Sequence, residues 1–384
     1  MDELTQLLSD LVAIDSTNPD LIPGAAGEAA IAQYIADWLE RAGLEVQLIE
    51  PAPGRPNVVA IARGRGGGKT LLLNGHMDTV GVGDMANLHK PVVKDGRLYG
   101  RGAYDMKGGL AACMHAIAAA RKHNLRGDVV LTAVADEEYA SLGTSDLAPR
   151  FASGGSLGHA DGAIVAEFTE LQLILAHKGF VWLDIETKGK AAHGSRPDLG
   201  VDAIAHMGRI LVELEHLNEA LLSNPAHPLL GSGSLHASLI KGGQEVSSYP
   251  DHCTLSIERR TLPGETPEGV EAVLRGIVRH LESLDPSMNI VVRRGIDRSP
   301  LETPEHVDVA RSIQGAAAQV LGHPAKIAGV PFWTDAALLS AVGIPSLLFG
   351  PSGAGAHSIE EWVDLASVKA CAEIYLATIL DFCS

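Results

Sequence analysis

Five short stretches of the chain present side chains able to bind a cation or move a proton. The first, Leu71-Leu72-Leu73-Asn74-Gly75-His76-Met77-Asp78, is an apolar run ending in His-x-Asp. On extended chain a two-residue spacing puts both side chains on one side. An imidazole beside a carboxylate suits a metal ligand whose second ring nitrogen is held by its neighbour, although a simple polar pair in a turn has the same sequence. Asp105 stands in the glycine-flanked loop Gly100-Arg101-Gly102-Ala103-Tyr104-Asp105-Met106-Lys107-Gly108-Gly109, just before an alanine-rich helical stretch. Backbone there can approach a ligand closely. Asp136-Glu137-Glu138 follows the apolar run 128–134, and three consecutive acids repel one another unless something cationic compensates. Glu167 ends Ile164-Val165-Ala166, and His357 sits in the glycine-rich loop 350–358. Each stretch alone fits a solvated turn. Together they are sites of one chemical type in one sheet domain, which points to a shared metal centre.

The elements that must position these residues alternate between helix and strand. Residues 24–43 carry Ile31, Tyr34, Ile35, Trp38 and Leu39 at helical spacing, with Gly43 as a stop. Apolar strands are expected at 57–62, 70–75, 128–134, 162–166 and 345–349, with a helix over 106–123. Such alternation implies a layered α/β domain whose sheet is buried on both faces, and open α/β sheets place their sites at strand C-terminal ends. The middle of the chain differs. A strand at 180–187, a helix at 201–222, strands at 234–241 and 252–262, a helix starting with Thr266 as N-cap and Pro267 at its first position, and a strand at 289–294 give the order βαββαβ. That is the order of a ferredoxin-like unit. The expected architecture is an α/β domain in two segments, 1–178 and 295–384, interrupted by a small α+β domain over 179–294.

Composition excludes several classes of partner. The 384 residues include 30 Lys and Arg against 47 Asp and Glu, a formal charge of −17. Nucleic-acid binding draws most of its affinity from clustered basic residues, so a nucleic-acid partner is not expected. Gly100-x-Gly102-x-x-Asp105 fails the dinucleotide fingerprint at its third glycine, and Gly68-Lys69-Thr70 lacks the upstream glycine and following helix of a phosphate loop. No apolar run approaches the roughly 20 residues that span a bilayer. The acidic, helix-periodic first residues do not resemble an export leader. Cys113, Cys253, Cys371 and Cys383 lie far apart without a C-x-x-C pair, as in a reduced cytoplasmic protein.

In spacing and identity these stretches resemble the dinuclear zinc metallopeptidases that include acetylornithine deacetylase, succinyl-diaminopimelate desuccinylase, the aminoacylases and the glutamate carboxypeptidases. The resemblance rests on G-H-x-D at 75–78, G-R-G-x-x-D-x-K-G-G at 100–109, the acid pair 137–138, Gly-Ala-His357 and the position of the inserted domain. It implies a zinc-exopeptidase-like catalytic domain with a ferredoxin-like lid and dimerisation domain. It also implies two Zn²⁺ per chain, with Co²⁺ or Mn²⁺ as substitutes. His76 and Glu167 would hold one ion, Glu138 and His357 the other, and Asp105 would bridge them. Asp78 would orient His76, and Glu137 would be the general base. In Ala191-Ala192-His193-Gly194-Ser195 the lid histidine, His193, would stabilise the oxyanion in the neighbouring subunit of a homodimer. Arg260 in Glu258-Arg259-Arg260-Thr261-Leu262-Pro263 matches the family's substrate-carboxylate arginine, and Arg259 should face the other way. Ser247 stands where the family often has asparagine. The implied activity is removal of an N-acyl group from an amino acid, with dipeptidase or carboxypeptidase action as the alternative within the family and a non-catalytic binding protein as a remote one.

Overall fold

The computed structural model describes residues 1–81, 83, 85 and 89–384. The chain forms two compact units. The first comprises Met1–Leu175, Thr303–Ala328 and Thr334–Ser384. Its main sheet runs, in spatial order, Glu45–Ala52, Arg55–Ala62, Val129–Val134, Leu71–His76, Gly162–Val165, Ser346–Leu348 and Leu173–His177. The four strands from Val129–Val134 to Ser346–Leu348 pair in parallel, and antiparallel strands flank them. All residues of these four are buried, because both faces are covered. Leu8, Leu11, Ile31, Ile35, Ile117, Ile374 and Ile379 from the surrounding helices share one core with Leu73 and Leu131 of the sheet.

A small antiparallel sheet of the same unit has no counterpart in the sequence reading. It pairs Gly353–Ala354 with Trp362–Asp364, then Arg97–Tyr99, then Val92–Lys94. Two- and three-residue strands are too short for a two-residue periodicity to register. The strands Glu45–Ala52 and Leu173–His177 are likewise additions. The helix expected over 24–43 is shorter, Ala29–Arg41, because Gly24 and Gly27 turn the chain with φ of 84° and 67°.

The second unit comprises Ala176–Glu302 and Gly329–Trp333. Gly179–Lys188, Ser234–Gly242, His252–Thr261 and Ile290–Arg298 form an antiparallel sheet, with Ser234–Gly242 at one edge and Ile290–Arg298 at the other. The helices Ala203–Leu222 and Pro267–Leu284 complete the βαββαβ order. Thr266 caps the second helix, its hydroxyl accepting from the Gly269 N–H at 3.1 Å with Pro267 in the first turn. This unit extends beyond the span 179–294 drawn from sequence. Its last strand stays paired as far as Arg298, opposite Phe180, and Trp333 returns to pack edge-on against Phe180 with ring centroids 6.3 Å apart.

Two helical glycines make opposite demands. A Cβ on Gly109 would lie 1.8 Å from the Ala166 carbonyl oxygen, whereas one on Gly208 would meet nothing within 4 Å. Gly109→Ala is therefore expected to lower the unfolding free energy by about 1–3 kcal/mol through overpacking. Gly208→Ala is expected to raise it by up to about 1 kcal/mol through helix propensity. Denaturant unfolding checks both signs; a Gly109→Ala protein as stable as the parent would contradict the packing described.

Candidate metal centre

Three strand ends and two loops of the first unit deliver acids and imidazoles to one place. Strand Leu71–His76 ends on His76, Val129–Val134 leads into Glu137 and Glu138, and Gly162–Val165 leads into Glu167. Asp105 precedes the helix Gly108–Ala120, and its peptide bond to Met106 is cis. His357 lies between Gly353–Ala354 and Trp362–Asp364, with a left-handed φ of 61°. The two carboxylate oxygens of Asp105 face different imidazoles. Oδ1 lies 3.1 Å from Nε2 of His76, and Oδ2 lies 3.2 Å from Nε2 of His357. Glu138 Oε2 is 3.1 Å from the same His357 nitrogen, while Glu167 Oε1 is 3.8 Å from that of His76. Donor atoms of His76, Asp105 and Glu138 lie within 4.8 Å of one another, as do those of His76, Glu137 and Glu167.

Asp78 ties two of these elements together. Its backbone carbonyl lies 2.9 Å from Nδ1 of His76, closer than its carboxylate at 3.5 Å. With Nδ1 donating there, Nε2 keeps the lone pair a cation needs. The Asp78 carboxylate instead accepts from the backbone N–H groups of Glu137 at 3.1 Å and Glu138 at 3.2 Å, and from the Asn18 side chain at 2.8 Å. Asn18 also donates to Asp136 at 3.0 Å. Arg55, pairing with Glu28 at 2.6 Å and Asp136 at 2.9 Å, backs the turn from below.

The electrostatics of the cluster are those of too many acids in too little water. Burial pushes the Glu137 carboxyl well above its usual range, Glu138 up to about 7 and Glu167 up to about 8, with neighbouring carboxylates adding to the shift. Buried Asp335, which accepts from the Thr144 hydroxyl at 2.6 Å, rises to about 6. Asp105 moves the other way, held low by hydrogen bonds from His357 and His76 that outweigh its burial. Its carboxylate and that of Glu138 raise His357 to about 10. Two imidazoles among ionised carboxylates are N and O donors of the borderline kind that suit Zn²⁺ and related dications.

The remaining residues singled out in the sequence belong to the second unit. His193 is exposed, its Nδ1 2.8 Å from the Ser195 hydroxyl, and it bridges Ser248. The Ser247 carbonyl accepts from the Gly194 N–H at 2.7 Å, so Ser247 adjoins the His193 turn. Arg259 is buried and pairs with Glu265, whereas Arg260 is partly exposed, donating to Glu258 at 2.7 Å with its guanidinium 5.5 Å from the Phe180 ring centre. The two arginines therefore face opposite sides of the strand. The supporting residues Asn18, Glu28, Arg55, Asp335 and Glu361 have no sequence signature of their own, and Lys107 is marked only as part of the 100–109 motif; only the fold shows them to be buried.

A family model for "Peptidase family M20/M25/M40" matches residues 72–381. The chain belongs to the M20/M25/M40 peptidase family. Among curated members, an acetylornithine deacetylase of Myxococcus xanthus is 31% identical, covering 99% of this chain and 97% of its own. An N-formyl-4-amino-5-aminomethyl-2-methylpyrimidine deformylase of Halalkalibacterium halodurans is 27% identical over 100% and 95%. Among solved structures, aminopeptidase PepT of Bacillus cereus superposes with a TM-score of 0.81 at 19% identity over 99% of this chain and 98% of its own. A dinuclear metal-binding M20 peptidase of Bacillus subtilis superposes at 0.73 and 16% identity over 98% and 97%. The chain is accordingly a hydrolase of this family with the α/β fold expected from sequence.

A raised carboxyl or imidazole pKa means that the folded state binds its proton more tightly than the unfolded chain does, so the associated stability is lost as the pH rises through the folded value. For Glu138 and Glu167 that window runs from about 4.5 to about 7 and about 8; for His357 it runs from 6.5 to about 10. Metal-stripped protein is therefore expected to lose melting temperature steadily from pH 5 to pH 9, and added Zn²⁺ to restore it most at the alkaline end. A metal-free melting temperature that rises over this range would contradict the account.

Proposed function

We propose that this M20 chain is a dizinc amidohydrolase that removes a small N-acyl group from an amino acid or a closely similar amine. The observation that carries the reading is Asp105, whose two oxygens face two different imidazoles, each with its own glutamate. His76, Asp105 and Glu167 would hold one ion, and Asp105, Glu138 and His357 the other. Bound there, a pair of dications would lower the pKa of a water and polarise the scissile carbonyl.

The chain's own residues do the rest. Glu137 sits against His76 and Glu167, where its carboxylate can take a proton from water and return it to the leaving amine. Asp78 fixes the His76 ring through its carbonyl and the Glu137–Glu138 turn through its carboxylate. Arg260 binds a substrate carboxylate, and Ser247 contributes a hydroxyl beside the His193 turn. His193 donates to the carbonyl oxygen as charge develops on it, reaching the site from the neighbouring subunit of a homodimer. Dimerisation is supported by Leu239 and Ile240, 71% and 57% exposed on the edge strand Ser234–Gly242. A cytoplasmic location is supported by four free, buried cysteines; no helix among the described residues is long and apolar enough to cross a membrane. Deacylation is preferred over dipeptide cleavage because curated relatives that match nearly the whole chain include an acetylornithine deacetylase and a deformylase.

Glu137→Gln is expected to retain both ions while turnover falls by at least about 10²–10⁴-fold, the usual contribution of a general base. The substrate panel is N-formyl, N-acetyl, N-succinyl and N-carbamoyl amino acids beside dipeptides, with metal content measured on each preparation. Near-normal hydrolysis by Glu137→Gln would remove the base assignment, and cleavage of dipeptides alone would replace deacylation with peptidase action.

A further inference from the structure

The loops that carry Asp105 and His357 come from distant parts of the chain, and one buried ion pair joins them. Arg101 and Glu361, 260 residues apart, meet at 2.6 Å with side chains 3% and 0% exposed. The Glu361 carboxylate accepts from the backbone N–H groups of Gly102 at 3.0 Å, Tyr104 at 2.9 Å and Asp105 at 3.1 Å. Nη2 of Arg101 donates to the Ser358 carbonyl at 2.8 Å, directly after His357. One member of the pair thus grips the backbone of the first loop, and its partner grips the second.

We propose that the Arg101–Glu361 pair is a positioning device that sets the spacing of Asp105 and His357, and so governs the affinity of one cation position, that of Asp105, Glu138 and His357, more than the other. The inference rests on the metal-centre reading given above. One general principle and three observations support it. Burying an arginine–carboxylate pair brings little net stability by itself, because desolvation offsets the attraction. This pair spends its remaining hydrogen bonds on the two ligand loops and nowhere else among those described above. The loops are also short of support from the main sheet: His76, Glu138 and Glu167 continue from its buried strands, whereas Asp105 and His357 hang from the small sheet that pairs Trp362–Asp364 with Arg97–Tyr99. Finally, the fit is tight. A Cβ on Gly355 would lie 1.9 Å from the Glu360 carbonyl oxygen and one on Gly353 2.3 Å from that of Trp362, so the His357 loop has a defined seat that the pair can hold in register.

The test compares metal-stripped wild type, Glu361→Gln and Arg101→Lys, each titrated with Zn²⁺ against a chromophoric chelator, with circular dichroism and melting curves to establish folding. Wild type should bind two ions per chain. Both variants should bind one ion about 10–100-fold more weakly, as for other residues that orient ligands, and the other by a clearly smaller factor, since Asp105 serves both positions; kcat should fall with KM little changed. Two wild-type-like affinities in both variants would overturn the proposal, as would equal weakening of both ions. Failure of both variants to fold would overturn it too, since the pair would then serve the fold as a whole. A wild type that binds no ion would remove the metal-centre reading itself, a result distinct from the others.

Discussion

Buried negative charge is the constraint on which the rest of the first unit depends. Asp78, Asp105 and Glu167 are almost completely buried, with Glu137 and Glu138 partly so beside them, and among the described residues the imidazoles that face them are His76 and His357. Carboxylates brought this close cannot all stay ionised without compensation. Protons can supply it, at the cost of the folded-state shifts seen at Glu138 and Glu167; dications can supply it more completely. The arrangement of Asp105, with one oxygen toward each imidazole, divides the acids into two sets rather than leaving one diffuse patch.

The fold answers that constraint with two different supports. Parallel strands of the main sheet end together, so His76, Glu138 and Glu167 arrive on rigid, buried backbone. Asp78 then couples the first two, since one residue holds the His76 ring by its carbonyl and the 137–138 turn by its carboxylate. The Asp105 loop is anchored otherwise. Lys107, fully buried, donates to the carbonyls of Leu11 and Ile14 at the end of the first helix, and Tyr104 donates to Glu170 at 2.5 Å. Glu361 closes the remaining side. A site made of mutually repelling groups needs such over-determined backbone, because a looser loop would relax away from its neighbours.

Much of this was legible in the sequence, for identifiable reasons. His76, Asp78 and the 137–138 pair stand at the ends of strongly apolar strands, and Asp105 and His357 stand among glycines, so local pattern marks them. The βαββαβ order of the second unit was readable because its helices are long and amphipathic and Thr266-Pro267 is an explicit start. The small sheet was not readable: its strands have two or three residues each, and the pairing that joins its two halves, at Leu98 and Val363, spans more than 250 positions. The same holds for Arg55, Glu28 and Glu361. A charged residue looks solvated until the partner that lets it be buried is known, and that partner is set by tertiary contact alone. The short contact from the Asp78 carbonyl to His76 shows a further limit, since a sequence motif points to side chains and cannot indicate that a backbone oxygen does part of the orienting.

The −17 formal charge is consistent with this picture, since several acids of that count face inward onto one centre rather than outward to solvent. The central claim is that these buried acids and two histidines form a pair of cation positions sharing Asp105. Anomalous diffraction at the zinc absorption edge, on crystals of protein purified without chelator and supplied with Zn²⁺, tests it most directly. The account predicts two anomalous peaks per chain, one flanked by His76, Asp105 and Glu167 and the other by Asp105, Glu138 and His357. A single peak that avoids Asp105, or zinc bound only elsewhere on the chain, would contradict it.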